Sequence, residues 1–214
     1  DVVSDNAKTF YPARDMKALL SHLFKLAAAD RYVDKDLPSF IVLPKLEEKE
    51  KDVFSETEQA ALWKAFDAGN LAAAWPLLMI YTGMMPGETM KLTISMIDFE
   101  SLKIIGSGLK TSTRKESAVH FPVILVPVLQ AVIGDRTEGK VFVRNKDNLY
   151  KDYHELTRTI GIRDLDPYSC RHTMATALAV NKNVAPETLR KVMRWSTNSR
   201  MAPRYVHPDD SDAA

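Results

Sequence analysis

Met16, Leu19, Leu20, Leu23, Phe24 and Ala27 recur at helical spacing, with Lys17, Lys25 and Asp30 between or beyond them. That stripe predicts an amphipathic helix of about four turns whose apolar face needs a partner. A strand-poor stretch with Pro38 and Pro44 follows, and the charged run from Leu46 to Asp52 reads as a solvated linker. Ser55-Glu56-Thr57-Glu58 then has the form of a capping box, and Gly69 supplies a stop, so a helix is expected over 56–68. Leu71 to Thr82 is apolar almost throughout and predicts a second, more buried helix, with Pro86 opening a short third one.

The pattern changes after that. Ile97, Phe99, Leu102, Ile104 and Ile105, then Ala118, Val119 and Phe121, are better strand formers, with Gly106 and Gly108 between them. They predict a small antiparallel sheet. Val126–Ile133 reads as a helix, Val141-Phe142-Val143 as a short strand and Asp147–Thr159 as a helix. Asp166 and Pro167 look like the N-cap and first turn of a helix reaching Val180, and Pro186 opens another to about Trp195. The fold class is mainly α with a small antiparallel β-sheet.

At 214 residues, 45% hydrophobic and 27% charged, the chain can bury a substantial core and holds one domain plus part of a second. The single cysteine, Cys170, excludes an intrachain disulfide framework, and the N-terminus lacks the layout of a signal peptide. The longest apolar run, Ala72 to Tyr81, is too short for a membrane span and contains Pro76. A cytoplasmic protein is therefore expected. The formal net charge of +1 does not announce nucleic-acid binding. Lys103, Lys110, Arg114 and Lys115 nevertheless crowd one segment, and Glu47, Glu48, Glu50, Asp52, Glu56 and Glu58 another.

Candidate chemistry gathers near the C-terminus. Arg171 and His172 lie in Pro167-Tyr168-Ser169-Cys170-Arg171-His172-Thr173, and Tyr205 in Arg204-Tyr205-Val206-His207. A phenol with a pKa of about 10 is a weak nucleophile, so phosphoryl transfer through tyrosine needs a cation that binds phosphate. Arginine suits that role by its fork of donors. On a helix, Arg171 shares a face with Met174, Ala175 and Leu178, a placement equally open to an internal salt bridge. A metal site built on His154, Cys170, His172 and His207 has no ligand pair at recognised spacing.

Four motifs stand in a telling order: Thr82-Gly83-Met84-Met85-Pro86-Gly87-Glu88, Gly108-Leu109-Lys110-Thr111, Pro167 to Thr173, and Arg204 to His207. In this the chain resembles tyrosine recombinases of the phage integrase family, and within it the integrases of conjugative transposons. The resemblance implies a recombinase catalytic-domain fold over 54–214, a linker at 46–53, and the C-terminal part of a helical core-binding domain at 1–45. It implies site-specific cleavage and rejoining of double-stranded DNA through a 3′-phosphotyrosine, without cofactor or metal, and a homo-oligomer on DNA for the full-length protein. Tyr205 matches the nucleophile, Lys110 the general acid, Arg171 the second arginine of a phosphate clamp and His172 its supporting neighbour. Tyr168 and Trp195 stand where many relatives carry histidine or lysine and histidine, respectively; both are equally open to a core role.

Two departures bear on activity. Met85 occupies the place of the first clamp arginine, and Lys91 lies too far along a helix to replace it. The interval from Trp195 to Tyr205 is one residue longer than in close relatives and contains Pro203, and little follows Tyr205 of the segment that relatives pass to a neighbouring protomer. A recombinase-fold DNA-binding module without cleavage is the alternative these departures leave open.

Overall fold

A computed structural model describes residues 9–46, 52–108 and 117–196, together with Ser199, Met201 and Tyr205. Backbone contacts divide the chain into two units, residues 1–50 and 51–214. In the first, helix α1 (Phe10–Ala29) extends the predicted amphipathic helix at its N-terminal end. Ala13 forms the centre of a small cluster with Met16, Leu20, Ile41 and Leu43, and Lys17 Nζ donates to the Ile41 carbonyl at 2.7 Å.

The second unit begins with a capping box. Ser55 Oγ accepts the Glu58 N–H, and Glu58 Oε2 accepts the Ser55 N–H at 2.8 Å, so α2 (Glu56–Asp67) starts where the motif places it. Gly69, at φ +90°, closes the other end: its N–H bonds Phe66 O and that of Asn70 bonds Ala65 O. After one 3-10 turn, α3 (Ala74–Thr82) is buried at every position but Tyr81, as its unbroken apolar run requires. The Trp75 indole N–H is satisfied by Thr89 Oγ1 at 2.7 Å, on the short helix α4 (Pro86–Thr89).

Three two-residue strands form the sheet, in the order β1 (Ile97–Asp98), β2 (Lys103–Ile104) and β3 (Val119–His120), all antiparallel. Ile104 and Val119 are paired and buried, which fixes the register. The β2–β3 connection contains residues 109–116, which lie outside the described residues, and with them Lys110.

The strand predicted at Val141-Phe142-Val143 does not form. Val141 and Phe142 are buried side by side and Val143 is exposed, without the in–out alternation of a half-buried strand. The guanidinium of Arg136 occupies the carbonyls that a neighbouring strand would use, Lys140 O at 2.5 Å and Val141 O at 3.0 Å. What remains is one isolated bridge, between Thr93 and Lys140.

Helices α5 (Val126–Ile133), α6 (Lys146–Thr159), α7 (Tyr168–Val180) and α8 (Pro186–Val192) complete the unit. Helix α8 stops short of the predicted Trp195 because Arg194 takes a left-handed φ of +53°. Helices α3 and α7 make the most extensive contact in the unit. Among the described residues no helix is long and apolar enough to cross a membrane.

Candidate active site

The candidate site is built at the start of α7. Asp166 caps that helix from outside, its carboxylate accepting the Tyr168 N–H and its carbonyl the Ser169 N–H, each at 2.8 Å. One turn on, Thr173 Oγ1 accepts the Phe54 N–H at 2.9 Å and donates to Ser169 O, tying the helix to the strap that leads into α2. The next residues inward are Cys170, Arg171 and His172, all buried.

Arg171 is 3% exposed. Its Nη1 donates to Gly83 O, and its Nη2 to Met193 O at 2.5 Å. Both acceptors sit at helix ends, Gly83 capping α3 and Met193 capping α8, where the helix dipoles are negative. The guanidinium thus bridges two converging C-termini. Gly83 is required there twice over: its φ is +63°, and a Cβ would meet Met193 Sδ at 3.1 Å. Arg171 on an apolar stripe is therefore held, in its described bonds to these two residues, by carbonyl dipoles.

His172, 8% exposed, bonds the Tyr205 hydroxyl through Nδ1. The Tyr168 ring meets the imidazole edge-on at 5.0 Å between centroids. Trp195 stacks on Tyr205 at 5.4 Å with 18° between the planes, and Tyr205 is 5% exposed. Met174, Met193 and Met201 pack in the same apolar cluster. Tyr168, Arg171, His172, Trp195 and Tyr205 are thus brought together, the longer interval before Tyr205 notwithstanding. Met85 is half-buried at the N-cap of α4, two residues beyond the carbonyl that holds Arg171. Lys110 lies outside the described residues.

Other nucleophiles are poorly placed by comparison. Burial pushes the Cys170 thiol well above its ordinary range, and does the same to the Tyr153 phenol, which donates to Leu165 O at 3.0 Å. His154 pairs with Asp164 at 2.6 Å on the surface. Among the described residues no group of three His, Cys, Asp or Glu is arranged to hold a metal.

One pair escaped the sequence. Arg194 Nη2 donates to Glu88 Oε2 at 2.5 Å, with the two side chains 4% and 0% exposed. The same oxygen accepts the Met85 N–H at 2.9 Å. Glu88 was visible in the Thr82–Glu88 motif, but nothing in the spacing pointed to Arg194 as its partner.

The sequence profile of the phage integrase family matches residues 53–212. Among solved structures, the Tn1549 transposon integrase in complex with circular intermediate DNA is 20% identical with a TM-score of 0.73, over 99% of this chain and 80% of that one. XerA recombinase is 21% identical with a TM-score of 0.60, over 77% of this chain and 63% of that one. A lambda integrase dimer bound to a COC′ core site is 12% identical with a TM-score of 0.68, over 92% of this chain and 59% of that one. No curated protein matches the sequence. These likenesses establish the fold, a small antiparallel sheet within the helical catalytic unit of tyrosine recombinases.

Proposed function

Because the chain belongs to the phage integrase family, we propose that it is a site-specific DNA recombinase acting through Tyr205, with residues from about 54 onward as its catalytic domain and 1–45 as part of a core-binding domain. The observation that carries this reading is the bond from the Tyr205 hydroxyl to His172 Nδ1, one residue from the buried guanidinium of Arg171. In the reaction, the Tyr205 oxygen attacks the phosphorus of a DNA phosphodiester while its proton passes to His172 Nδ1. The P–O5′ bond breaks, leaving a 3′-phosphotyrosine and a 5′-hydroxyl whose proton comes from a general acid, the role the resemblance gives Lys110. Attack by another 5′-hydroxyl reverses the steps and rejoins the strand. The phosphotyrosine conserves the bond energy, so no nucleotide or metal enters the balance.

Arg171 supplies charge where the transition state develops it, and two carbonyls hold it in place beforehand. Trp195 and Tyr168 wall the phenol and imidazole and limit their rotation. Double-stranded DNA is the partner, supported by the DNA complexes of the Tn1549 and lambda integrases. A homo-oligomer on DNA belongs to the same proposal.

Met85, which gives the turn before α4 a thioether in place of a guanidinium, favours one rival: a recombinase-fold module that binds DNA without cutting. Incubation with a nicked duplex library, randomised around the nick, separates the two. The recombinase forms an SDS-resistant protein–DNA adduct that Tyr205→Phe abolishes. Salt-sensitive binding with no adduct supports the module.

A further inference from the structure

Arg194 stands where a glycine would cost nothing. Its N–H bonds Lys191 O and the Trp195 N–H bonds Arg190 O, each at 3.0 Å, which is the closing pattern of a helix whose penultimate residue is left-handed. At φ +53° a side chain strains the backbone. The side chain that accepts this strain is an arginine, 4% exposed, and it pairs with a glutamate that is fully buried. Neither charge is needed to close α8 or to cap α4, since glycine at 194 and glutamine at 88 preserve both sets of backbone bonds. Strain and a desolvated charge pair at one residue point to a use for that charge.

Its neighbours indicate the use. Met193, the residue before, gives its carbonyl to Arg171, and Trp195, the residue after, stacks on Tyr205. The guanidinium is directed to the turn between Gly83 and Glu88, whose other end holds the second nitrogen of Arg171. A phosphodiester under attack spreads its charge over two non-bridging oxygens, which one guanidinium neutralises incompletely. The Glu88 bond uses Nη2 and leaves the orientation of the fork set by a fixed carboxylate.

We propose that Arg194 is a second phosphate-binding cation of this site, oriented by Glu88 and delivered from the end of α8 to the turn where Met85 carries no charge. The proposal rests on the phosphoryl-transfer reading above. It excludes the simpler account in which Arg194 only neutralises Glu88.

The decisive measurement is NMR of the arginine Nε–Hε groups in the whole chain during titration with inorganic phosphate. The signals of Arg171 and Arg194 are expected to shift together along one saturation curve. A shift at Arg171 alone overturns this inference and leaves the phosphate clamp standing; no shift at either overturns both. Adduct formation gives the second readout. The double variant E88Q/R194G removes both charges, and its adduct is expected to form about a hundredfold more slowly than that of the unaltered protein. That deficit shrinks on DNA carrying a neutral methylphosphonate at the attacked position, because the charge to be neutralised is gone. Unaltered adduct formation, or a deficit equal on both substrates, reduces Arg194 to a structural partner and overturns the proposal.

Discussion

Two glutamate–arginine pairs in this unit share one design and differ in setting. Glu58 and Glu88 are each the third residue of a helix, and each accepts the N–H of the residue before that helix, Ser55 at 2.8 Å and Met85 at 2.9 Å. Each then meets an arginine more than a hundred positions away, Arg163 for Glu58 and Arg194 for Glu88. The first pair is open: Arg163 is 51% exposed, grips both oxygens of Glu58 and reaches Val53 O. The second is sealed, and its arginine carries left-handed strain. A surface pair anchors where the chain enters the unit; a buried one ties the residue between Met193, whose carbonyl holds Arg171, and Trp195, which stacks on Tyr205, to the turn before α4.

The largest effect should come from breaking the sealed pair. Glu88→Ala leaves the Arg194 guanidinium buried without its carboxylate and removes the acceptor of the Met85 N–H, so a loss of about 3–5 kcal/mol is expected in urea unfolding. Glu58→Ala, at a site where water can replace the lost partner, should cost clearly less. Equal losses would break the comparison.

Much of this arrangement was legible in the sequence, for physical reasons that differ from element to element. Helix α2 was marked at both ends by residues that satisfy orphan backbone groups, and α3 by an apolar run whose length suits a buried helix. The strand expected at 141–143 was misread because an arginine at 136 satisfies its carbonyls, and a side chain reaching back over several residues leaves no periodic trace. The gathering of Tyr168, Arg171, His172, Trp195 and Tyr205 followed from motif order rather than from periodicity. The Glu88–Arg194 pair was hidden for two reasons. Its partners are 106 positions apart, and the position that closes α8 is one where turn chemistry leads a reader to expect glycine.

A smaller effect separates the pairs by pH. The Arg163 guanidinium holds the Glu58 carboxyl down at about 2 from an ordinary value of 4.5, helped by N–H bonds from Ser55 and Arg163 and opposed by desolvation. The folded value lies below the unfolded one, so the stabilisation is complete above about pH 4.5 and is lost as pH falls through about 2. With Arg163 half exposed and screened by solvent, about 2 kcal/mol is at stake. Urea unfolding of the unaltered protein and of Glu58→Gln should therefore differ most above pH 4.5 and converge towards pH 2. A difference that is constant across this range would show that Arg163 does not grip an ionised Glu58.

The smallest effect bears on the residues that precede the two helices. Ser55 completes its cap with a hydroxyl, whereas Met85 presents a half-buried thioether beside Glu88. If the turn lacked any cation, Met85→Arg would restore a missing donor and accelerate adduct formation about a hundredfold. Arg194 already brings a guanidinium to that turn, so the expected gain is only about tenfold, or roughly 1.4 kcal/mol. In the E88Q/R194G background the same substitution should recover close to the full hundredfold, since Met85→Arg then supplies the only added charge. Equal gains in the two backgrounds would mean that residues 85 and 194 serve the phosphate independently. No gain in either would mean that the turn before α4 does not face the phosphate, and the functional half of the comparison would fall.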